Sequence, residues 1–218
     1  IPLRNEIFDK AYSEGKTLSE AVRMYMHALF GAEGLVCLDA DDARLKSIFA
    51  PIMEADLKQQ VHEPIVRATT EKLEALGYKT QVSARPVNLF ELTENDRIRL
   101  ETGDSVDITK ASPNVILRPL YQEVILPNLA YIGGPAEVAY WLQLKGVFDA
   151  FEVTYPLLSV RNSLLWIDAV NSRKIAKTEL PLEELFLDTE ELKKRYVLRN
   201  QSDELDLSDV EQAFAVLK

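Results

Sequence analysis

The stretch NLAYIGGPAEVAYWLQLKGVFD, residues 128–149, decides the fold of this chain. Its first five residues form an apolar run that predicts a β-strand, and Gly133 and Gly134 then mark a tight turn. Pro135 follows, where a first helical residue needs no N–H donor. Apolar residues then recur mostly at helical spacing, with a polar complement of Glu137, Gln143, Lys145 and Asp149. We therefore expect a strand that passes through a glycine turn into an amphipathic helix.

A turn of this kind leaves backbone N–H groups free at the helix N-terminus, where they can hold an anion. Glu137 falls in the first helical turn, so its carboxylate either favours the positive helix end or points into a ligand site. The turn lacks the glycine spacing of a dinucleotide fingerprint, and the sequence contains no Gly-x-x-x-x-Gly-Lys phosphate loop. From the glycines alone, a packing role and an anion site both remain open.

The elements on either side add two arginines to this picture. Residues 155–160 form another apolar run that ends in Arg161, so strand, helix and strand predict a βαβ unit with parallel strands. Gly133, Gly134 and Arg161 should then meet at the carboxyl edge of the sheet, where α/β folds bind ligands. Upstream, residues 115–126 predict a helix on which Arg118 and Gln122 share a face. That face either carries solvated ion pairs or holds a substrate carboxylate on the guanidinium.

The first third of the chain is largely helical in pattern. Residues 4–30 read as helical, with Thr17 and Glu20 at capping-box spacing. Residues 43–76 predict a long helical segment. We expect it to be interrupted or bent near its two prolines, Pro51 and Pro64, because each removes a helix hydrogen bond.

Between these segments, residues 35–38 predict a short buried strand that ends in an acidic run. Carboxylates at the end of a parallel strand can meet a ligand, but they can also cap the next helix. For Asp42 we favour capping. Asp39 and Asp41 are candidates for a second site, and for Asp39 the two interpretations stay open.

The remaining segments have a different character. Residues 78–100 change to short β-like runs, 78–84, 87–92 and 97–101, which predict a small antiparallel meander followed by a polar loop. From residue 169 onward the pattern is that of short, charged amphipathic helices, with a further capping-box pair at Ser208 and Glu211. That tail suggests the start of a coiled coil or helical hairpin.

Composition limits the class of function. The 218 residues are 47% hydrophobic and carry a formal net charge of -10, which argues against nucleic acid or an anionic membrane as the main partner. The single cysteine, Cys37, excludes an internal disulfide and fits a reducing cytosol, and its apolar setting predicts a buried thiol. Neither His27 nor His62 lies in a recognisable catalytic or metal-binding pattern, so we expect ordinary surface or core roles and no metal.

Four segments of the sequence resemble a known protein family. Residues 112–145, SPNVILRPLYQEVILPNLAYIGGPAEVAYWLQLK, closely resemble the signature of the cysteine-adding enzymes (cysteine ligases) of bacillithiol biosynthesis. Three further segments are similar to flanking parts of that family: FGAEGLVCLDADDARLKSIFAPI at 30–52, PLLSVRNSLLWID at 156–168 and LPLEELFLDTEELKKR at 180–195. The similarity spans nearly the whole chain.

The resemblance implies an α/β fold with a Rossmann-like parallel sheet, akin to the catalytic core of class I aminoacyl-tRNA synthetases. It divides the chain into core helices and a first strand (1–77), a β-rich connecting-peptide insertion (78–111), the βαβ part of the core (112–168) and a helical segment that begins a coiled coil (169–218). It also implies a cytoplasmic homodimer that pairs through the helical tail. The matching positions make seven residues candidates for the substrate pocket: Arg118, Gln122, Gly133, Gly134, Glu137, Tyr140 and Arg161.

The implied reaction joins L-cysteine to glucosaminyl-malate through an amide bond, with ATP expected to activate the carboxylate. Which residues are catalytic is left unassigned. Family members are more than twice as long and carry an earlier nucleotide-type signature, so we expect this chain to be an internal piece that is inactive alone. Two alternatives stay open: a non-catalytic scaffold or dimerisation module, and another ATP-using α/β ligase or nucleotidyl transferase.

Overall fold

The computed structural model describes residues 2–200, and the chain divides into two compact units between Arg161 and Asn162. The first unit begins with helices α1 (Pro2–Ala11) and α2 (Leu18–Phe30), followed by a 3-10 turn at Gly31–Glu33. The predicted cap is confirmed at the start of α2, where the backbone N–H of Thr17 donates to Glu20 Oε2 (2.9 Å) and that of Glu20 to Thr17 Oγ1 (3.2 Å). The segment 4–30 is helical as predicted except at residues 12–17, which separate α1 from α2.

The predicted strand at 35–38 is also wrong. No strand is assigned to these residues, and Leu35, Val36 and Leu38 are all exposed. An apolar run becomes a strand only when a neighbouring strand satisfies its backbone groups, and residues 35–38 have no such neighbour in the described chain. Cys37 is half-buried, so the fully buried thiol expected from the sequence is not observed.

Two helices occupy the segment predicted as one interrupted helix: α3 (Ala43–Gln59) and α4 (His62–Ala75). Asp42 caps α3 as expected, since the backbone N–H of Arg44 donates to its side chain at 2.9 Å. The break falls at residues 60–61, near Pro64 as predicted, where Gln60 adopts the left-handed conformation (φ 55°); no break occurs at Pro51. Pro51 lies inside α3, whereas Pro64 lies in the first turn of α4, where no intrahelical N–H is required.

The antiparallel insertion is confirmed as a sheet of three strands, β1 (Leu89–Leu92), β2 (Arg97–Arg99) and β3 (Ala111–Pro113), in the order β2-β1-β3. Its third strand differs from the prediction. Residues 78–84 form no strand because buried Gln143 holds them, accepting from the backbone N–H groups of Gln81 (2.8 Å) and Val82 (3.1 Å). The polar segment that begins at Ala111, expected to be a loop, pairs with β1 in their place.

The decisive stretch folds as a βαβ unit. Helix α5 (Arg118–Ile125) precedes strand β4 (Ala130–Gly133), and helices α6 (Pro135–Gln143) and α7 (Lys145–Ala150) then lead to strand β5 (Leu157–Val160). Strands β4 and β5 pair in parallel, with Gly133 opposite Val160, which confirms the predicted parallel arrangement. The predicted single helix is divided into two at Leu144.

The core of the first unit lies between α3, α4, α5 and the α6–α7 pair. Its largest fully buried side chains include Trp141, Phe49, Phe148 and Met53. Trp141 stacks on Tyr131 of β4 with ring centroids 4.2 Å apart, and the Tyr155 hydroxyl donates to the Trp141 carbonyl at 2.6 Å. These contacts hold α6 against β4 and against the segment that leads into β5.

The second unit, described as far as residue 200, is helical. It contains α8 (Ala169–Ala176), a 3-10 turn (Leu182–Phe186) and α9 (Thr189–Asn200), in agreement with the predicted short helices. The pair Ser208 and Glu211 lies outside the described residues, and so does any continuation into a coiled coil. Over residues 2–200, no helix combines the length and hydrophobicity that a membrane crossing requires.

Candidate functional site

The glycine turn and Arg161 lie together at the carboxyl end of the parallel strands. The backbone N–H of Arg161 donates to the carbonyl oxygen of Gly133 at 2.8 Å, which aligns the ends of β4 and β5. The Arg161 side chain lies over the turn, since a Cβ atom at Gly134 would be 3.5 Å from its Nε. The structure therefore brings Gly133, Gly134 and Arg161 to one edge, as the βαβ pattern predicted.

Glu137 uses part of the helix N-terminus. Its Oε2 accepts a hydrogen bond of 2.7 Å from the backbone N–H of Gly134. Pro135 has no N–H, and α6 has no side-chain cap. The backbone N–H groups of Ala136 and Glu137 are therefore the donors that the first turn can offer to an anion.

Arg118 and Gln122 occupy one face of α5, as their spacing predicted. Arg118 is the first residue of α5, and its Nη1 is 3.5 Å from Gln122 Oε1, a long contact that leaves the guanidinium largely uncommitted. The two residues line a cavity of about 330 Å³ together with Tyr121, Asn128 and five apolar side chains: Val36, Leu38, Ala40, Ile125 and Leu126. The cavity thus has an apolar wall and a polar rim.

The tyrosines of this region connect Arg118 with the turn. Burial raises the pKa of Tyr131, the nearby Glu137 carboxylate raises it further, and the positive charge of Arg118 opposes both effects. Burial likewise raises the pKa of Tyr140, with further contributions from Tyr131 and Glu137 and opposition from Arg118. Arg118 and Glu137 therefore act in opposite directions on both tyrosines.

The second candidate site has lost its structural basis, because residues 35–38 are not a strand. Both of its carboxylates are already engaged. Asp39 accepts from Ser19 Oγ (2.9 Å) and the backbone N–H of Asp41 (3.0 Å), and these hydrogen bonds lower its pKa, the backbone one most. Asp41 forms an ion pair with the buried Lys46. No part of the described chain holds three or more His, Cys, Asp or Glu side chains in an arrangement for a metal ion.

Sequence reasoning missed a buried polar cluster in the first unit. Asp56, His62 and Asn88 are each 0% exposed, and the Asp56 carboxylate is hydrogen-bonded to both His62 and Asn88. His62 has the core role expected for it, with its ring stacked on Phe151. Nothing in the sequence pairs these three residues, since they come from α3, α4 and the segment before β1.

Comparison with known proteins agrees with the family resemblance of the sequence segments. The family model described as "Bacillithiol biosynthesis BshC, N-terminal Rossmann-like domain" matches residues 4–111 and 106–162. Three similar curated proteins share the name "Putative cysteine ligase BshC". The one from Christiangramia forsetii is 40% identical over 92% of this chain, that from Flavobacterium johnsoniae 39% over 86%, and that from Staphylococcus aureus 28% over 94%.

The chain spans 41%, 39% and 43% of these three relatives, so it corresponds to less than half of their length. The matched segments include both parallel strands and the antiparallel insertion. They confirm the Rossmann-like assignment of the mixed α/β fold. Since the family model covers well over half of the sequence, this chain belongs to the bacillithiol biosynthesis BshC family.

Proposed function

We propose that this chain supplies the anion-binding part of the active site of a cysteine ligase, which adds L-cysteine to glucosaminyl-malate through an amide bond. The observation that carries the proposal is the position of Arg161 beside Gly134 at the N-terminus of α6. The charge of Arg118 acts on the same neighbourhood. Family membership and the relatives' names support the reaction class.

The chemistry of the site suits a carboxylate or phosphate. Two guanidinium groups and the N–H groups of Ala136 and Glu137 would neutralise negative charge in directed hydrogen bonds. The Glu137 carboxylate is already bound to the Gly134 N–H, so it stabilises the turn without occupying those donors. In this proposal Arg118 and Arg161 hold a malyl carboxylate of glucosaminyl-malate and so orient that substrate for the amide-forming step.

ATP is the expected source of activation for an amide-forming ligase, and the donors just described suit a phosphate as well as a carboxylate. When bound, ATP would supply the energy that converts the carboxylate of the amide-forming step into a group able to react with an amine. The part of this chain would be to bind and orient the anion.

The proposal is tested by titrating glucosaminyl-malate into the full-length enzyme that carries this sequence. Arg118→Ala should weaken binding about tenfold or more, since it removes a charged hydrogen-bonding group. Gly134→Val should also weaken binding, because its side chain would extend towards Arg161 Nε and Glu137 Oε2. Arg67→Ala is the matched control, because Arg67 is an exposed arginine paired with Glu63 on α4. Unchanged affinity and turnover in both Arg118→Ala and Gly134→Val would contradict the proposal.

We also propose that the enzyme is a cytoplasmic homodimer with a synthetase-like core, and that its helical tail continues into a coiled coil that joins the subunits. Exposed apolar side chains in the second unit support a contact of this kind: Leu182, Phe186, Tyr196, Val197 and Leu198. Light scattering should give twice the monomer mass, and a monomer at micromolar concentration contradicts the tail contact.

A further inference from the structure

A chain of hydrogen bonds begins deep in the core, at Asp56 and His62. Both side chains are 0% exposed, and His62 Nδ1 lies 2.8 Å from Asp56 Oδ1. Because a carboxylate oxygen can only accept, Nδ1 carries the proton of this bond. The ring is held in place by stacking on Phe151 at 4.8 Å between centroids. The Asp56 carboxylate, where this series of hydrogen bonds starts, is therefore held in place between α3 and α4.

Asn88 extends the chain towards the site. Its backbone N–H donates to Asp56 Oδ2 at 2.5 Å, and its side-chain Nδ2 donates to Asp56 Oδ1 at 3.1 Å. This leaves the side-chain oxygen of Asn88 as an acceptor facing the other way. It accepts from Asn114 Nδ2 at 3.1 Å, and the backbone N–H of Asn114 donates to the Asn88 carbonyl at 2.9 Å.

Asn114 links Asn88 to the turn that opens helix α5. Its Oδ1 accepts from the backbone N–H of Ile116 at 2.8 Å and, more weakly, from that of Leu117 at 3.4 Å. Its carbonyl oxygen accepts from the backbone N–H of Arg118 at 2.9 Å. The side chains of Ile116 and Leu117 are 0% exposed, so the turn that opens α5 is held by polar and apolar contacts together.

We propose that Asn114, held by Asn88 and through it by Asp56, is a positioning residue for Arg118 in the anion site, an inference that rests on the proposed function. A guanidinium forms directed, paired hydrogen bonds with a carboxylate or phosphate, so its use depends on where its backbone is placed. Helix α5 also packs on α3, where the rings of Tyr121 and Phe49 lie 5.1 Å apart between centroids. The Asn114–Asn88 side-chain bond adds a directed polar contact at the turn that precedes Arg118.

Asn114→Ser separates capping from positioning. A serine hydroxyl can accept from the backbone N–H groups of the same turn, yet it is too short to bridge to Asn88 at the same time. Serine is also uncharged, so any change in anion affinity does not come from a new charge. Asn114→Gly, which removes the side-chain bond to Asn88 as well, serves as a second variant if the serine variant does not fold.

The test is a double-mutant cycle for glucosaminyl-malate affinity in the full-length enzyme, with Asn114→Ser and Arg118→Ala singly and combined. We expect Asn114→Ser to weaken binding about fivefold, within the range for residues that act through a neighbour. The same change should have no further effect in the Arg118→Ala background. Val66→Ala, a buried position on α4 without polar contacts, is the control that loses stability but keeps affinity.

The outcomes separate the two proposals. If Arg118→Ala itself binds like the wild type, the anion site is overturned, and the positioning role with it. If Arg118→Ala weakens binding and Asn114→Ser does not, only the positioning role is overturned. An equal loss from Asn114→Ser in both backgrounds also overturns it, because the effect would then not pass through Arg118.

Discussion

Replacing Asp56 with alanine should cause one of the largest losses of stability that a single substitution can produce in this chain. Asp56 is 0% exposed, and its carboxylate accepts three hydrogen bonds: His62 Nδ1 at 2.8 Å, the Asn88 backbone N–H at 2.5 Å and Asn88 Nδ2 at 3.1 Å. Alanine leaves His62 Nδ1 and the Asn88 backbone N–H in the core without an acceptor, whereas Asn88 Nδ2 keeps its bond to the Arg85 carbonyl oxygen at 2.7 Å. A buried donor that loses its partner costs about 1–3 kcal/mol.

The net cost stays below the largest sum of two such penalties, because removing the carboxylate also removes the cost of burying it. Two buried donors that lose their acceptor at about 1–3 kcal/mol each give an expected loss of about 2–5 kcal/mol. Whole domains are stable by only about 5–15 kcal/mol, so the variant should be close to unfolding at ambient temperature.

The measurement is urea unfolding of the 218-residue chain, followed by far-ultraviolet circular dichroism. Asp149→Ala is the matched control, since Asp149 is an exposed aspartate in an i,i+4 pair with Lys145 and should cost about 0.5 kcal/mol or less. In Asp56→Ala combined with His62→Ala, the loss should be less than the sum of the single losses, because the two residues share a bond. A loss below about 1 kcal/mol for Asp56→Ala would refute the reasoning, since the donors would then have other partners.

Two further predictions concern the glycine turn and the cap of α3. A Cβ atom at Gly133 would lie 2.5 Å from Cε1 of Tyr131, whose ring is stacked on Trp141, so Gly133→Ala should cost about 1–3 kcal/mol in urea unfolding. A Cβ atom at Gly134 would have its nearest neighbour 3.5 Å away. A loss of the same size in Gly134→Ala would contradict the steric account. Hydrogen bonds from the Arg44 side chain and backbone lower the pKa of Asp42 to about 2 from its ordinary 3.8. A carboxylate with a lowered pKa stabilises the fold above its unfolded-state pKa, so the advantage of Asp42 over the non-titrating cap Asp42→Asn should be constant above pH 3.8 and shrink as the pH falls towards 2. Unfolding of both proteins across that range checks the sign, and a gap that widens with acid would be inconsistent with it.

The sequence predicts best where one local pattern determines both the structure and its neighbours. The glycine turn is such a case, because a strand, a turn, a helix and a second strand within about 30 residues permit only a parallel pair with a right-handed crossover. The positions of Gly133, Gly134 and Arg161 followed from that rule. The binding roles of these residues, and of Arg118, Gln122, Glu137 and Tyr140, stay predictions.

The errors arise where backbone pairing or burial depends on distant residues. Residues 35–38 have the composition of a strand but no neighbouring strand in the described chain, whereas the polar strand β3 forms because β1 offers it a free edge. Gln143 has the spacing of a solvent-facing position on α6, yet it is 1% exposed and hydrogen-bonded to the segment at residues 81–82. Periodicity reports which face is apolar, but it cannot report a partner that arrives from about 60 residues away.

The positions of the two arginines of the proposed site therefore depend on different kinds of contact. Arg161 is placed by strand register, since its backbone bonds to Gly133 and the β4–β5 pairing determines where β5 ends. Arg118 is placed by the turn at Asn114, which bonds to Asn88, and Asn88 in turn bonds to Asp56. These contacts leave no trace in the local sequence pattern. Substitutions in the core around Asp56 should consequently disturb Arg118 before they disturb Arg161. A site assembled in this way can lose one of its two charges while the glycine turn itself stays intact.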